Sequence, residues 1–228
     1  METVEITWLG HACWLVTDGT HSRAIDPFLD DTPTAPMKAE DLSVDFILVS
    51  HGHFDHVADA ARIAARTDAT VVSNFEICEW LGKKGVKNTQ PMNLGGAIEL
   101  PFGRVKMTIA HHSSTLPDGA GGGNPGGFVL WIGGKKIYFA CDTGLFYDMK
   151  LIGGIGLDLA VLPIGDRFTM GPDDALEAVK LLAPARVAPS HYNTWPPIAQ
   201  DASAWAERVR RETSAEPLVV APGGTITL

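Results

Sequence analysis

The sequence predicts a layered α/β sandwich with mixed sheets. Short apolar strand runs recur through both halves of the chain, and helical patterns interrupt them in both halves. No short-period repeat imposes another architecture. The chain has 228 residues, 45% of them apolar and 20% charged, which suits one domain over residues 1–228 with a core that needs no disulfides.

Val4, Ile6 and Trp8 alternate with Glu5 and Thr7 as a half-buried strand does. Gly10-His11 makes a turn, Cys13 to Val16 continues as a second strand, and Asp18-Gly19 is a hairpin signal leading to Ala24-Ile25. Residues 30–43 are polar and hold prolines, so they read as a loop. Phe46 to Val49 is a continuous apolar run, expected of a strand buried on both faces. After His56, Val57, Ala60, Ala61, Ile63 and Ala64 recur at helical spacing. Val71-Val72 returns to strand, and Phe75 to Lys84 predicts a helix ending at Gly85. Further strands are predicted at 97–100, 105–109, 128–132 and 136–140, with Gly133-Gly134 turning between the last two. Leu157 to Leu162 is another buried strand. Gly171-Pro172-Asp173-Asp174 opens a helix, with proline in the first turn and acids at the positive dipole end. Val187 to Pro189 is a short strand and Ala202 to Arg211 an amphipathic helix with Trp205 and Val209 inward. Leu218 to Val220 and Thr225 to Thr227 are predicted to close the chain as strands.

Composition excludes several function classes. Lys and Arg total 18 against 27 Asp and Glu, a net charge of −9. That balance lacks the basic footprint that nucleic acid or an anionic membrane requires, so neither is expected as a partner. It leaves room for a small anionic substrate held by a local metal. No run reaches the ~20 apolar residues of a membrane helix. Met1-Glu2-Thr3-Val4-Glu5 is acidic and alternating, unlike a signal peptide. Cys13, Cys78 and Cys141 are odd in number and far apart, which fits a reducing cytoplasm rather than a disulfide framework. The glycine-rich stretch from Pro117 to Gly127 lacks the Gly-Lys-Ser/Thr ending of a phosphate-binding loop and reads as a mobile loop beside a site.

The chemistry concentrates at His51-Gly52-His53-Phe54-Asp55-His56, directly after a buried strand. Imidazole and carboxylate together suit zinc, manganese or iron(II). Three later segments place further ligand types at strand exits: His111-His112-Ser113-Ser114, Asp142-Thr143-Gly144 and His191-Tyr192-Asn193. If His111 and His112 continue a strand, they point to opposite faces, and only one of them can be a ligand.

This order, His-x-His-x-Asp-His followed by a His, an Asp and a final His, resembles the metallo-β-lactamase superfamily over nearly the whole chain. Trp8-Leu9-Gly10-His11, Asp26-Pro27-Phe28, Cys141-Asp142-Thr143-Gly144, Leu162-Pro163-Ile164-Gly165 and Phe168-Thr169-Met170-Gly171-Pro172 resemble a compact branch of metal-dependent hydrolases. That branch is similar to ascorbate-6-phosphate lactonases and N-acylethanolamine phospholipase D type enzymes. The resemblance implies a four-layer αβ/βα sandwich with the site along one edge of two sheets. It implies two divalent metal ions, zinc first and manganese or iron next. One would take His51, His53 and His112, the other Asp55, His56 and His191, with Asp142 bridging. The branch pattern His-Ser-Ser favours His112 over His111.

Two metals about 3.5–4 Å apart hold a bridging water as hydroxide near neutral pH, so the expected reaction is hydrolysis of a small ester, lactone or phosphodiester. Asp55 is a candidate to orient the nucleophile, and Tyr192 and Asn193 are candidates to reach substrate or an oxyanion. A nuclease of the same superfamily and a non-catalytic metal or ligand sensor are the rival readings. A small-molecule substrate is the expected partner, and a homo-oligomer is a further expectation. Asp26-Pro27 is placed beneath the metal loop. His11 is weighed equally as a structural or a substrate-contacting residue. Cys141 reads as a small buried hydrophobe, and Phe168, Thr169, Met170 and Trp195 as pocket or core.

Overall fold

The computed structural model describes residues 3–228; Met1 and Glu2, where the leader reading begins, lie outside them. In chain order the strands are β1 (Glu5–Trp8), β2 (Trp14–Thr17), β3 (Ser22–Ile25), β4 (Phe46–Leu48), β5 (Thr70–Asn74) and β6 (Thr89–Met92). They continue as β7 (Ala97–Leu100), β8 (Gly103–Ile109), β9 (Gly126–Ile132), β10 (Lys135–Phe139), β11 (Leu159–Pro163), β12 (Arg186–Ser190), β13 (Glu216–Pro217) and β14 (Thr225–Thr227). They form two seven-stranded sheets. The first has the order β14-β1-β2-β3-β4-β5-β6 and the second β13-β12-β11-β10-β9-β8-β7. Each sheet is antiparallel toward one side and parallel toward the other. In the first, β1 to β3 are antiparallel and β3 to β6 parallel; in the second, β7 to β10 are antiparallel and β10 to β13 parallel. The last strand, β14, returns to pair with β1, so the chain's end closes the sheet that its start began.

Two-residue alternation builds the layers. On the first sheet Ile25, Phe46, Leu48 and Val72 belong to one apolar core with Met107, Phe128, Leu130 and Phe139 of the second. Their neighbours Ala24, Ile47 and Val71 turn the other way, into a second core with Ile63 and Leu81. That second core is covered by α2 (Ala60–Thr67) and α3 (Phe75–Lys83), after the single turn α1 (Phe54–Val57). On the far side α4 (Met149–Gly153), α5 (Pro172–Leu182) and α6 (Ala202–Glu212) cover the second sheet through Leu176, Val179, Trp205 and Val209. Helices thus flank two stacked sheets, as the fold reading expects. The sheets are also pinned by a polar bond: Trp14 Nε1 on β2 donates to Ser190 Oγ at the end of β12, 2.9 Å away.

Several elements depart from the sequence reading. Residues 218–220 are not a strand; β13 lies earlier, at Glu216–Pro217, and only the Leu218 N–H continues the ladder, to the Val187 carbonyl. The apolar pattern there reflects half-buried packing on the core edge rather than pairing. β6 escapes the pattern because Thr89-Gln90-Pro91-Met92 is polar and holds a proline, which an edge strand tolerates. The helical turn α1 begins inside the histidine motif, at Phe54, rather than after it. No helix among the described residues is long and apolar enough to cross a membrane.

Candidate metal centre

Six chain segments leave the C-terminal ends of their strands along one edge of the sandwich. They carry His11 after β1, Asp26 after β3, His51 to His56 after β4, His112 after β8, Asp142 after β10 and His191 after β12. Sites in α/β sheets gather at such ends because the loops there are free to converge.

The turn after β4 is built from below by Asp26. Its carboxylate accepts the Ser50 N–H at 2.7 Å, the Ser50 hydroxyl at 2.6 Å and His56 Nδ1–H at 2.8 Å, all fully buried. These bonds fix two tautomers. The Ser50 proton goes to Asp26, so His51 Nδ1–H donates to Ser50 Oγ at 2.9 Å, and His51 Nε2 is left with a lone pair. His56 likewise spends Nδ1–H on Asp26 and turns Nε2 to the centre. This is the support that metal-binding imidazoles ordinarily have.

Two clusters of ligand atoms result. His51 Nε2 lies 2.9 Å from His53 Nδ1, and His112 Nε2 lies 3.2 Å from the same nitrogen. His11, Asp55, His56 and His191 form the second, each offering one atom within 4.8 Å of the others. Asp142 sits between them. Its Oδ2 is 3.1 Å from His191 Nε2, 3.3 Å from His56 Nε2 and 3.5 Å from His112 Nε2. Yet His56 Nε2, both ring nitrogens of His191 and Asp142 Oδ1 are buried without a hydrogen-bond partner. Unsatisfied buried polar atoms are costly, and His56 Nε2, His191 Nε2 and the Asp142 carboxylate facing one another fit a bound cation better than a polar core.

Protonation follows the same division. Burial holds His51, His53 and His112 below the usual imidazole range, which keeps them neutral. Burial opposes charge on His56 and His191 too, but the Asp142 carboxylate outweighs it, raising His56 well above the usual range and His191 to about 9. Burial likewise disfavours ionised Asp142 and Asp55. The His191 and His56 charges overcome it at Asp142, and the His56 charge with the His11 hydrogen bond does so at Asp55; both stay well below the carboxylate norm. In the protein without metal, the Asp142 carboxylate favours protonated His56 and His191.

The structure brings His51, His53, Asp55, His56, His112, Asp142 and His191 together. His111 and His112 sit in a bend after β8 ends at Ile109, so the strand argument does not apply to them. What separates them is packing: His111 stacks on Phe146 with ring centres 5.0 Å apart, while His112 turns inward. Tyr192 and Asn193 are not brought into the cluster. Tyr192 is buried against Trp8, rings 5.1 Å apart, and Asn193 Oδ1 accepts the Gln200 N–H at 2.7 Å; both line a separate cleft of about 780 Å³. The residue that sequence reasoning left undecided is His11, which joins the second group with its Nε2 3.1 Å from Asp55 Oδ2. Met170 is core, whereas Phe168 is 54% exposed and Phe54, between two predicted ligands, is 56% exposed. Trp195 is half-buried, its ring 4.9 Å from His11 and 6.3 Å from Phe54. The glycine-rich segment does lie beside the histidine turn, but it is tethered: Gly126 N–H donates to the Ser50 carbonyl, and Asn74 Nδ2 donates to the Gly122 carbonyl.

Comparison with known proteins finds relatives over nearly the whole chain. The β-lactamase superfamily domain matches residues 21–192. A UPF0173 metal-dependent hydrolase of Thermus thermophilus is 49% identical over 225 residues, covering 99% of each chain. One from Heliobacterium modesticaldum is 48% identical over 233 residues, covering 99% of this chain and 98% of its own. Among solved structures, Igni18, described as a metallo hydrolase from the archaeon Ignicoccus hospitalis, superposes with a TM-score of 0.91 at 37% identity, over 99% of this chain and 98% of the other.

Proposed function

The chain belongs to the β-lactamase superfamily and, within it, to the UPF0173 metal-dependent hydrolases, and from that premise we propose a dinuclear hydrolase of small esters, lactones or phosphodiesters. The observation that carries the reading is Asp142, whose one carboxylate faces both histidine groups across 3.1–3.5 Å. In this reading His51, His53 and His112 would hold one metal and Asp55, His56 and His191 the other, with Asp142 available to both. Zinc is the first candidate, since borderline imidazole with carboxylate suits it, with manganese and iron next. Two bound ions supply a water acidified to near neutral pH and a Lewis acid for the scissile carbonyl or phosphoryl oxygen.

The chain's own residues do the rest. His51 and His56 hold their rings fixed through Ser50 and Asp26, so little reorganisation accompanies binding. Asp55, with a side chain 13% exposed against 4% for Asp142, is the less buried of these two carboxylates and would orient a water held by the metals. Phe54, exposed, and Trp195, half-buried with its ring 4.9 Å from His11, would give apolar surface for the organic part of a substrate. No protein nucleophile is required: Cys141 points back toward the Phe139 carbonyl, and burial raises its thiol well above the usual range.

The test is metal analysis of the purified protein, followed by turnover of lactones, esters and phosphodiesters by wild type and Asp142→Ala. Two metals per chain are expected, with at least a 100-fold loss of turnover in the variant. Unchanged turnover on every hydrolysed substrate sinks the dinuclear mechanism. Short RNA in the same panel tests the nuclease reading, against which the −9 charge stands.

A further inference from the structure

We propose that His11, held by Thr194, is the residue that positions Asp55 at the metal centre; this rests on the reading of Asp55 as a ligand. The side chain of His11 is completely buried. Its ring is walled by Phe28 at 5.7 Å, Trp195 at 4.9 Å and His191 at 4.1 Å between centres. Only two polar outlets remain. Nε2 faces Asp55 Oδ2 at 3.1 Å and Nδ1 faces Thr194 Oγ1 at 2.8 Å.

The chemistry of the partners assigns the protons. An ionised carboxylate only accepts, so Nε2 carries a hydrogen and donates it. In the neutral ring Nδ1 is then an acceptor, which the Thr194 hydroxyl satisfies. The result is a one-way chain, Thr194 to His11 to Asp55. Asp55 Oδ2 also lies 3.9 Å from both His56 Nε2 and His191 Nε2. Each carboxylate oxygen has two acceptor directions, so one serves His11 while another stays free for the metal side.

The backbone of His11 is held as firmly as its ring. Its carbonyl accepts Trp8 Nε1–H at 2.9 Å, His191 N–H at 3.0 Å and Ser190 Oγ–H at 3.2 Å. His11 itself has φ +51°, a conformation that non-glycine residues adopt rarely and that the surroundings must enforce. His191 and Thr194 lie on one loop, so the loop carrying one proposed ligand also fixes the residue that aims another. A carboxylate on a short exposed-side helical turn would otherwise rotate about χ1, and the His11 bond removes that freedom.

The experiment is calorimetric titration of the metal-free protein with zinc, repeated with cobalt(II) for its visible absorption, on wild type, His11→Ala, His11→Gln, Thr194→Val and Asp55→Ala. His11→Ala is expected to weaken one of two binding steps by about 10–100-fold and leave the other as in wild type. That second step reports that the variant is folded. His11→Gln, which keeps an N–H donor, recovers part of the loss, and Thr194→Val weakens the same step by less. Wild-type titration of His11→Ala beside a weakened Asp55→Ala overturns the positioning role. Wild-type titration of both overturns the ligand reading of Asp55 and, with it, this proposal. Loss of a nitrogen ligand from the cobalt spectrum in His11→Ala overturns it differently, by making His11 a ligand itself.

Discussion

At the scale of single residues the site is a set of enforced conformations. His11, Asp26, Cys141 and His191 all have positive φ without being glycine, and all lie at strand exits around one centre. Such backbone is retained where neighbouring bonds over-determine it, and it clusters at functional sites. Asp26 illustrates the cost of losing one such neighbour. Asp26→Asn keeps the size but replaces with an NH2 donor one of the two oxygens, Oδ1 facing the Ser50 N–H or Oδ2 facing the Ser50 hydroxyl and His56 Nδ1–H. Stability is expected to fall by about 3–5 kcal/mol, the scale of a broken buried charge pair, and can be read by urea unfolding. Metal affinity falls about 10–100-fold alongside, because His56 loses the partner that fixes its tautomer. The sequence identified Asp26-Pro27 as a support, since a carboxylate before proline at a strand end is a visible signal. It left the role of His11 undecided, because nothing local ties residue 11 to residue 55.

At the scale of elements, the centre is a convergence of loops, and close backbone approach keeps them in place. Gly165, just past β11, has no room for a side chain: a Cβ there overlaps the His191 carbonyl on the neighbouring exit. Gly165→Ala is therefore expected to push the His191 loop outward. A loss of about 1–3 kcal/mol is the usual scale of overpacking and shows as a lowered melting temperature with reduced metal content. Elements with apolar runs long enough to stand out, such as β4 and β9, and helices with clear starts, such as α5 with Gly171-Pro172-Asp173, were legible in the sequence. β6 was not, because a polar edge strand owes its pairing to β5 rather than to its own pattern. The same cause explains the misplaced next-to-last strand: Leu218 to Val220 is apolar, yet pairing stops once the Leu218 bond to β12 is made.

At the scale of the whole molecule, metal, protons and folding are one linked equilibrium. In the metal-free protein His191 is raised to about 9 by Asp142, above its unfolded value of about 6.5. The folded state therefore keeps that proton longer. Its stabilising contribution is complete below about pH 6.5 and is lost as pH rises through about 9. His11 has the opposite sign: burial lowers it to about 4, so the unfolded chain takes up a proton first, and stability falls as pH drops from about 6.5 toward 4. Thermal melts of chelator-treated protein should thus show a maximum near neutral pH. If His191 is a ligand as proposed, zinc loading should raise the melting temperature and flatten the alkaline side, because the ion would displace the proton on His191. At free zinc about 100 times Kd the gain is about 2.7 kcal/mol. An alkaline slope identical with and without zinc would contradict that displacement.

The sequence by itself determined the layered class, the residue types that converge at the centre and the segments that carry them. Those properties reside in residue type and in two-residue or helical periodicity, which are local. Tertiary structure decided which neighbour turns inward at His111-His112, and that Tyr192 and Asn193 serve packing and loop closure while His11 reaches Asp55. These choices depend on contacts between strand exits far apart in the chain, and no local pattern encodes a contact that exists only after the two sheets have packed.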